Sequence, residues 1–428
     1  MSTVLIRGRT LSFLREPEGA DDHGSYAYED DGALLIEGGK IVAAGTYDDL
    51  KDRGASVIDH RPHLILPGFI DTHLHFPQAQ VIASWAAELL QWLNTYTFPA
   101  EAAFKDPDHA ARIATAFFDQ LTAHGTTTAM AYCSVHPESA DAYFAEAARR
   151  NMCMIGGKVM MDRNAPDAVC DTAQSSYDDT LALIDRWHGK GRGLYAISPR
   201  FAITSTPEQL EAAQSLVAAH PTCDVQTHLS ESDAEIKLTM ELYPEAVDYT
   251  GVYEQYQLLG PMSNLGHCIH LSARERAVLA ETGSVATFCP TSNLFLGSGL
   301  YDAAALKKDG VRRSIATDIG GGTSWSMLRT LDEGYKVLQL RHQQMPPIQS
   351  FWWITRGNAD ALGLTDAIGT LEAGSDADLV VLDARATGPM RLRADTISTL
   401  SEELFLLQTL GDDRAVAQTY VAGQPQKT

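Results

Sequence analysis

The middle of the chain alternates between short apolar runs and amphipathic segments, and this alternation limits the fold more than any other feature. The strand-like runs are "GFIDTHLHF", "TTTAMAYC", "CMIGGKVMM", "GLYAISPRF", "CDVQTHLSE", "LGHCIHLS", "SVATFCPTSN" and "RSIATDIGG". Helical segments separate most of them, and one opens on a Ser/Thr cap before Pro207. Eight such β/α units predict an α/β fold of the (β/α)8 TIM-barrel type. A doubly wound open sheet is the alternative, but no glycine-rich phosphate loop follows the first strand.

The two ends of the chain differ from the middle. Both contain short strand-like runs broken by glycine and aspartate, such as "GALLIEGGKIVAAGT" near the start and "GTLEAGSDADLVVLDA" near the end. We therefore expect a small β domain built from residues 1–65 and 369–428, with the barrel in residues 66–368.

Composition limits the classes of partner. The chain has 428 residues, with 33 basic and 55 acidic side chains and a formal charge of −22. Such a surface repels phosphate backbones and anionic lipid, so we expect neither nucleic acid nor a membrane as a partner. Six scattered cysteines favour reduced thiols. Since no apolar run nears the ~20 residues of a membrane span and no signal-peptide pattern is evident, we expect a cytoplasmic protein that acts on a small molecule.

Metal-binding residue types lie where the predicted barrel strands end, which is where barrel enzymes place their sites. His73 and His75 close strand one, His228 closes strand five and Asp318 closes strand eight. Alternate residues of a strand face the same side, so His73 and His75 can reach one centre. A single histidine on a strand is more often a hydrogen-bonded core residue than a ligand. Three imidazoles and a carboxylate together favour a zinc site with one position open for water.

The motifs "PGFIDTHLH", "THLSE" and "TDIGGG" resemble the amidohydrolase superfamily of metal-dependent barrel hydrolases. This resemblance implies a β-sandwich domain shared between the two termini. Many binuclear members carry a metal-bridging, carboxylated lysine at the end of strand four. Here strand four has no lysine, and Lys158 lies in strand three. That departure points to the mononuclear aminohydrolases.

Further segments resemble the branch of this superfamily whose members deaminate guanine. They are "DTHLHFPQ", "LLQWLNTYTFPAE", "KVMMDRNAPD", "SPRFAITSTPEQL", "THLSES", "FCPTSNLFLGSGL" and "TDIGGGTSWSML". The resemblance implies hydrolysis of guanine to xanthine and ammonia, a step of purine catabolism. It also implies one Zn²⁺ per chain and a homodimer.

The resemblance assigns catalytic roles. Glu231 would carry protons to a ring nitrogen and to the leaving ammonia. Asp318 would both bind the metal and take a proton from the attacking water. His267 would stabilise the negative charge that develops on the reacting oxygen, whereas His270 is expected to be structural. A surface carboxylate that caps the next helix is the alternative for Glu231.

The remaining assignments concern the substrate. Arg200 has a fixed array of donors suited to the purine carbonyl and N7, and Gln78 offers a donor and an acceptor. Phe201 can stack on the ring or belong to the core. Residues 91–101, with Trp92 and Tyr96, either close over the substrate or pack beneath a loop. The residues expected to contact the substrate are Gln78, Arg200, Phe201, His228, Glu231, His267 and Asp318.

Three alternatives remain open. The enzyme could deaminate another purine, a pterin or a triazine ring, which a substrate panel would show. A non-catalytic metal-binding protein on the same barrel would hold zinc but release no ammonia. A binuclear cyclic-amide hydrolase would hold two ions per chain.

Overall fold

The structure, a computed structural model, describes residues 3–85 and 89–427. Within those residues no helix is both long and apolar enough to cross a membrane. The strands are β1 (Val4–Phe13), β2 (Tyr26–Glu37), β3 (Lys40–Thr46), β4 (Ser56–Pro67), β5 (Phe69–His75), β6 (Thr126–Cys133), β7 (Cys153–Met160), β8 (Gly193–Pro199), β9 (Asp224–Leu229), β10 (Ser263–His267), β11 (Val285–Phe288), β12 (Arg312–Ile315), β13 (Leu379–Leu382), β14 (Val416–Val421) and β15 (Gln424–Pro425).

Strands from both ends of the chain form one mixed sheet in the order β15-β14-β13-β4-β1-β2-β3. Strand β4 joins the two ends, because it pairs parallel with β1 and antiparallel with β13. Buried side chains of both ends, among them Ile6, Ile65 and Val381, pack into one apolar cluster. The β domain predicted from the termini is therefore confirmed.

The middle of the chain forms the barrel. Strands β5 to β12 lie side by side in sequence order, and each neighbouring pair is parallel. This order excludes the doubly wound alternative, whose strand order reverses within the sheet. Asn358 links the last strand to the first, since its Nδ2 donates to Ile70 O at 2.7 Å and Ile315 O at 2.8 Å. The TIM-barrel prediction is confirmed.

The helices mostly cover the outside of the barrel. Their bounds are α1 (Tyr47–Leu50), α2 (Leu89–Trp92), α3 (Phe98–Ala102), α4 (Pro107–Ala123), α5 (Pro137–Arg150), α6 (Ala173–Trp187), α7 (Pro207–Ala219), α8 (Asp233–Leu242), α9 (Tyr249–Gln255), α10 (Ala273–Thr282), α11 (Pro290–Phe295), α12 (Ala303–Lys308), α13 (Met327–Leu340), α14 (Pro347–Trp352), α15 (Asn358–Ala361), α16 (Gly388–Ala394) and α17 (Leu400–Leu410). A π-helical segment, Leu93–Thr97, joins α2 to α3.

Local sequence explains these helices. Thr206 caps α7 by accepting a hydrogen bond from Gln209 N at 3.2 Å, as the Ser/Thr cap predicted. In α4, Ile113, Phe117 and Leu121 recur every fourth residue and are all buried. Burial of each such side chain contributes about 1.5–3 kcal/mol, which holds the helix against the barrel.

Candidate metal centre and active site

Three histidine rings meet at the carboxyl end of the barrel. His73 and His75 lie at the end of β5, and His228 lies in β9 on the opposite side. One ligand atom of each ring lies within 4.8 Å of the others, and His75 Nε2 is 3.2 Å from His228 Nε2. His73 packs closely on β10 at Gly266, where a Cβ atom would come 2.4 Å from His73 Cε1. The structure therefore brings the three predicted imidazoles to one point.

Asp318 joins this group from the loop after β12. Its Oδ1 lies 3.4 Å from His75 Nε2 and 3.6 Å from His73 Nε2. The loop is held against β5, because Asp318 N donates to His73 O at 2.9 Å. In addition, Thr317 donates to the Asp71 carboxylate from both its backbone N, at 3.1 Å, and its hydroxyl. Backbone and side-chain contacts between the first and last barrel strands thus position the carboxylate.

The electrostatics of the rings suit a metal ion. Burial, with contributions from neighbouring cationic groups, lowers the pKa of His73, His75 and His228 well below the usual value, so the rings are neutral near pH 7. His228 Nδ1 donates to Arg200 O at 2.7 Å, which leaves its Nε2 lone pair free. His73 Nε2 is buried and, among the described residues, has no hydrogen-bond partner. Three such nitrogens and one carboxylate oxygen fit a borderline divalent ion.

Cys289, to which the sequence analysis gave no role, also borders this point. Its Sγ lies within 4.8 Å of ligand atoms of His73, His267 and Asp318. Burial raises the pKa of the Cys289 thiol well above its usual value. Asp318 is the stronger candidate for the fourth ligand, because its Oδ1 lies within 3.6 Å of both His73 Nε2 and His75 Nε2.

Glu231 and His267 lie together beside the metal-binding residues. His267 Nε2 is 3.4 Å from Glu231 Oε2 and 3.8 Å from Asp318 Oδ2. Burial opposes a charge on His267, but these carboxylates outweigh it and raise its pKa. Asn293 Oδ1 holds His267 Nδ1 at 2.9 Å, and Ser298 Oγ donates to Glu231 Oε1 at 2.7 Å. Asn293 and Ser298 were missed, although both lie within the quoted segment "FCPTSNLFLGSGL".

A cavity opens next to these groups and contains every predicted substrate contact except His267. Its lining residues are Gln78, Trp92, Leu93, Arg200, Phe201, His228, Glu231, Leu296, Asp318 and Gly321. The Phe201 ring lies 6.1 Å from the His228 ring, centroid to centroid. Trp92 and Leu93 bring the segment 91–101 to the cavity, and Tyr96 is partly buried against the apolar cluster to which both residues belong.

A buried carboxylate that the sequence analysis did not single out links two of the lining residues. Glu101 accepts a hydrogen bond from Gln78 Nε2 at 2.9 Å, and its two oxygens accept from Arg200 Nη1 at 2.9 and 2.8 Å. Glu101, Gln78 and Arg200 are 1%, 1% and 3% exposed. Glu101 ends the quoted segment "LLQWLNTYTFPAE", but its letter alone does not distinguish it from a surface acid.

The structure corrects some strand ends. His270 was expected within strand six, but β10 ends at His267, where the backbone φ of His267 and Cys268 turns positive, at 70° and 51°. His270 instead lies in the following loop, with Nε2 2.8 Å from Ser298 O. Glu231 and Asp318 likewise lie just beyond β9 and β12, in loops where the chain can turn toward the barrel axis.

Comparison with known proteins identifies the family. A sequence model of the Amidohydrolase family matches residues 64–425. The chain belongs to the amidohydrolase family. The guanine deaminase of Escherichia coli (strain K12) is 44% identical to it over 423 residues, which are 98% of this chain and 96% of that protein. The crystal structure of guanine deaminase from Bradyrhizobium japonicum is 36% identical, with a TM-score of 0.97 over 100% of both chains. Guanine deaminase from C. acetobutylicum, crystallised with guanine in its active site, is 26% identical, with a TM-score of 0.89 over 99% of this chain and 100% of that chain.

Lys158 of this amidohydrolase is held in an ion pair with Asp171. It is buried in β7, and its Nζ donates to Asp171 Oδ2 at 2.5 Å and to Val159 O at 3.3 Å. Asp171 also accepts from Gln209 Nε2 at 2.9 Å. A lysine engaged in such an ion pair is not positioned as a bridging ligand, which agrees with a mononuclear site.

Proposed function

We propose that this amidohydrolase catalyses the hydrolysis of guanine to xanthine and ammonia. The observation that carries the proposal is that one cavity is lined both by Arg200 and Gln78, which we expect to bind guanine, and by Glu231 and Asp318, which we expect to move protons. The relatives support it, since guanine deaminases match the chain over nearly its whole length.

The metal centre would use the four residues that converge at the end of the barrel. We propose that His73, His75, His228 and Asp318 hold one Zn²⁺ per chain. A bound zinc ion supplies Lewis acidity, which makes water a nucleophile near neutral pH. The neutral imidazoles and the single carboxylate leave this ion with a net positive charge, as that chemistry requires.

The chain's own acids and bases would move the protons. Asp318, whose Oδ1 faces His73 and His75 and whose Oδ2 lies 3.8 Å from His267 Nε2, would take a proton from the attacking water. The water oxygen bonds to the ring carbon that carries the amino group. Glu231 would give its proton to the adjacent ring nitrogen, take the remaining proton of the added water and pass it to the amino group. The C–N bond then breaks, the oxygen becomes the carbonyl of xanthine and ammonia leaves. The proton held by Asp318 would restore Glu231. Ser298 keeps Glu231 oriented through the 2.7 Å hydrogen bond.

His267 would stabilise the negative charge that forms on the reacting oxygen. Its ring is fixed by Asn293, and its Nε2 faces the two catalytic carboxylates. Because Asn293 Oδ1 can only accept from Nδ1, a protonated ring would donate from Nε2 into the site.

The choice of substrate would depend on N–H groups of Arg200 and Gln78 that make no hydrogen bond to the described part of the protein. Within the described residues, Arg200 makes its side-chain hydrogen bonds through Nη1, which leaves Nη2 and Nε available for the purine carbonyl and N7. Gln78 Oε1 accepts from Gly320 N at 3.3 Å, and one hydrogen of Nε2 remains for the substrate.

One assay tests the proposal. Metal-replete protein is incubated with guanine, and xanthine and ammonia are measured together with the zinc content per chain. We expect both products in equal amounts, loss of activity on treatment with a chelator and recovery on adding zinc. Pterin, triazine and other purine substrates form the control panel. Faster release of ammonia from one of these would overturn the assignment of guanine, and two ions per chain would favour the binuclear alternative.

The quaternary structure and location stay predictions. A homodimer follows only from the resemblance, and sedimentation analysis of the purified protein tests it. A cytoplasmic location follows from composition, and cell fractionation tests it.

A further inference from the structure

We propose that Glu101 is a positioning residue that sets the guanine specificity of the site by holding Arg200 and Gln78 in one arrangement. This inference rests on the proposed function.

The first support is the contact pattern. One carboxylate oxygen of Glu101 accepts from both Gln78 Nε2 and Arg200 Nη1, and the other accepts from Arg200 Nη1 alone. An ionised carboxylate can accept hydrogen bonds but cannot donate them. The NH2 end of the Gln78 amide, and not its oxygen, must therefore face Glu101. The opposite end of the same amide accepts from Gly320 N. Glu101 and Gly320 therefore fix the orientation of Gln78, which shows its remaining N–H to the cavity.

The second support is charge. Arg200 and Glu101 are both buried, and a buried guanidinium without a partner is strongly disfavoured. The cavity contains two other carboxylates, those of Glu231 and Asp318, which the proposed chemistry needs. Glu101 neutralises the charge of Arg200, so Arg200 does not need to pair with Glu231 or Asp318. The donors of Arg200 that Glu101 does not use remain free for the substrate.

The third support is the set of contacts that attach the helix carrying Glu101 to the barrel. Glu101 lies in α3, directly after the π-helical segment that covers the cavity. Ser134 Oγ donates to Glu101 O at 2.8 Å, which ties the helix to the end of β6. The Phe98 ring, one turn earlier, lies 5.5 Å from the Arg200 guanidinium. The segment that covers the cavity is thus connected to Arg200 through both Glu101 and Phe98.

The experiment tests whether the charge or the shape of the side chain at position 101 matters more for activity. Glu101→Gln keeps the shape but removes the charge and points an amide donor at other donors. Glu101→Asp keeps the charge but is one methylene shorter. The kcat and KM for guanine, the zinc content and the Tm are measured for both variants and for Glu281→Gln, a control that removes an exposed carboxylate from α10.

We expect kcat/KM to fall about 100-fold in Glu101→Gln, mainly through KM, which corresponds to about 2.7 kcal/mol at 1.36 kcal/mol per tenfold change. Glu101→Asp should keep more activity than Glu101→Gln because it still pairs with Arg200. Zinc content should match the wild type in both, and Glu281→Gln should be unchanged. A residue that only fills space would give the opposite order, with the isosteric glutamine better than aspartate, and that result would overturn the proposal.

A double-mutant cycle provides a second criterion. If Glu101 acts through Arg200 as well as through Gln78, the loss in the double variant Glu101→Gln/Arg200→Ala should be smaller than the product of the two single losses. Losses that multiply would show that the two residues act independently and would reject the inference. Absence of xanthine from the wild-type protein would instead reject the proposed function, so the two failures are distinguishable.

Discussion

Gly266→Ala would test the position of His73 directly. The built Cβ comes 2.4 Å from His73 Cε1 and 3.0 Å from both ring nitrogens. Carbon atoms in contact normally lie about 3.5 Å or more apart, so the ring must retreat by about 1 Å. Gly266 has no positive φ, so alanine adds no backbone strain of its own.

The expected loss follows from that displacement. A shift of about 1 Å at a reacting centre costs roughly 100-fold in rate, and the overpacking costs about 1–3 kcal/mol in the free energy of unfolding. We therefore expect Gly266→Ala to lower kcat/KM for guanine roughly 100-fold and to lose zinc during dialysis against a chelator that leaves the wild type loaded. Zinc content is measured by mass spectrometry and unfolding by circular dichroism.

Gly260→Ala is the matched control, because a Cβ built there has no atom within 4 Å. It should change the free energy of unfolding by less than about 0.5 kcal/mol. If Gly266→Ala retained zinc and activity as well as this control does, the close packing of His73 on β10 would be refuted, along with its assignment as a ligand.

Two further predictions concern buried charges. Burial raises the pKa of Asp224 to about 8, above its unfolded value, so the folded protein holds this proton more tightly. Wild-type stability should therefore fall as pH rises from about 4 to about 8 and level off above that. Asp224→Asn should flatten this decline when urea unfolding is measured at several pH values, and an unchanged slope would count against the prediction. Lys158→Met, which leaves Asp171 unpaired, should cost about 3–5 kcal/mol in unfolding free energy. Adding Asp171→Asn should restore part of this loss, while zinc per folded chain stays constant in both variants; a drop in zinc would show that Lys158 is a ligand.

Much of the architecture could be predicted before any coordinates. The alternation of apolar runs and helical segments indicated the barrel, and the strand-rich ends indicated a domain shared by both termini. The same pattern made strand six too long, because the alternation of apolar residues does not show where the backbone turns. His270 lies beyond that turn, in the loop that follows β10.

The sequence by itself determined the elements and the pair His73 and His75, because periodicity and spacing act between neighbouring residues. The ends of the predicted strands added His228 and Asp318 as candidate ligands, and a resemblance in motif then gave Glu231, Asp318 and His267 their catalytic roles. Only the tertiary structure decided which other side chains meet them. Glu101 contacts Arg200 from 99 positions away, and Asp71 contacts Thr317 across 246. Such contacts exist only once the barrel closes, so no local pattern could reveal them.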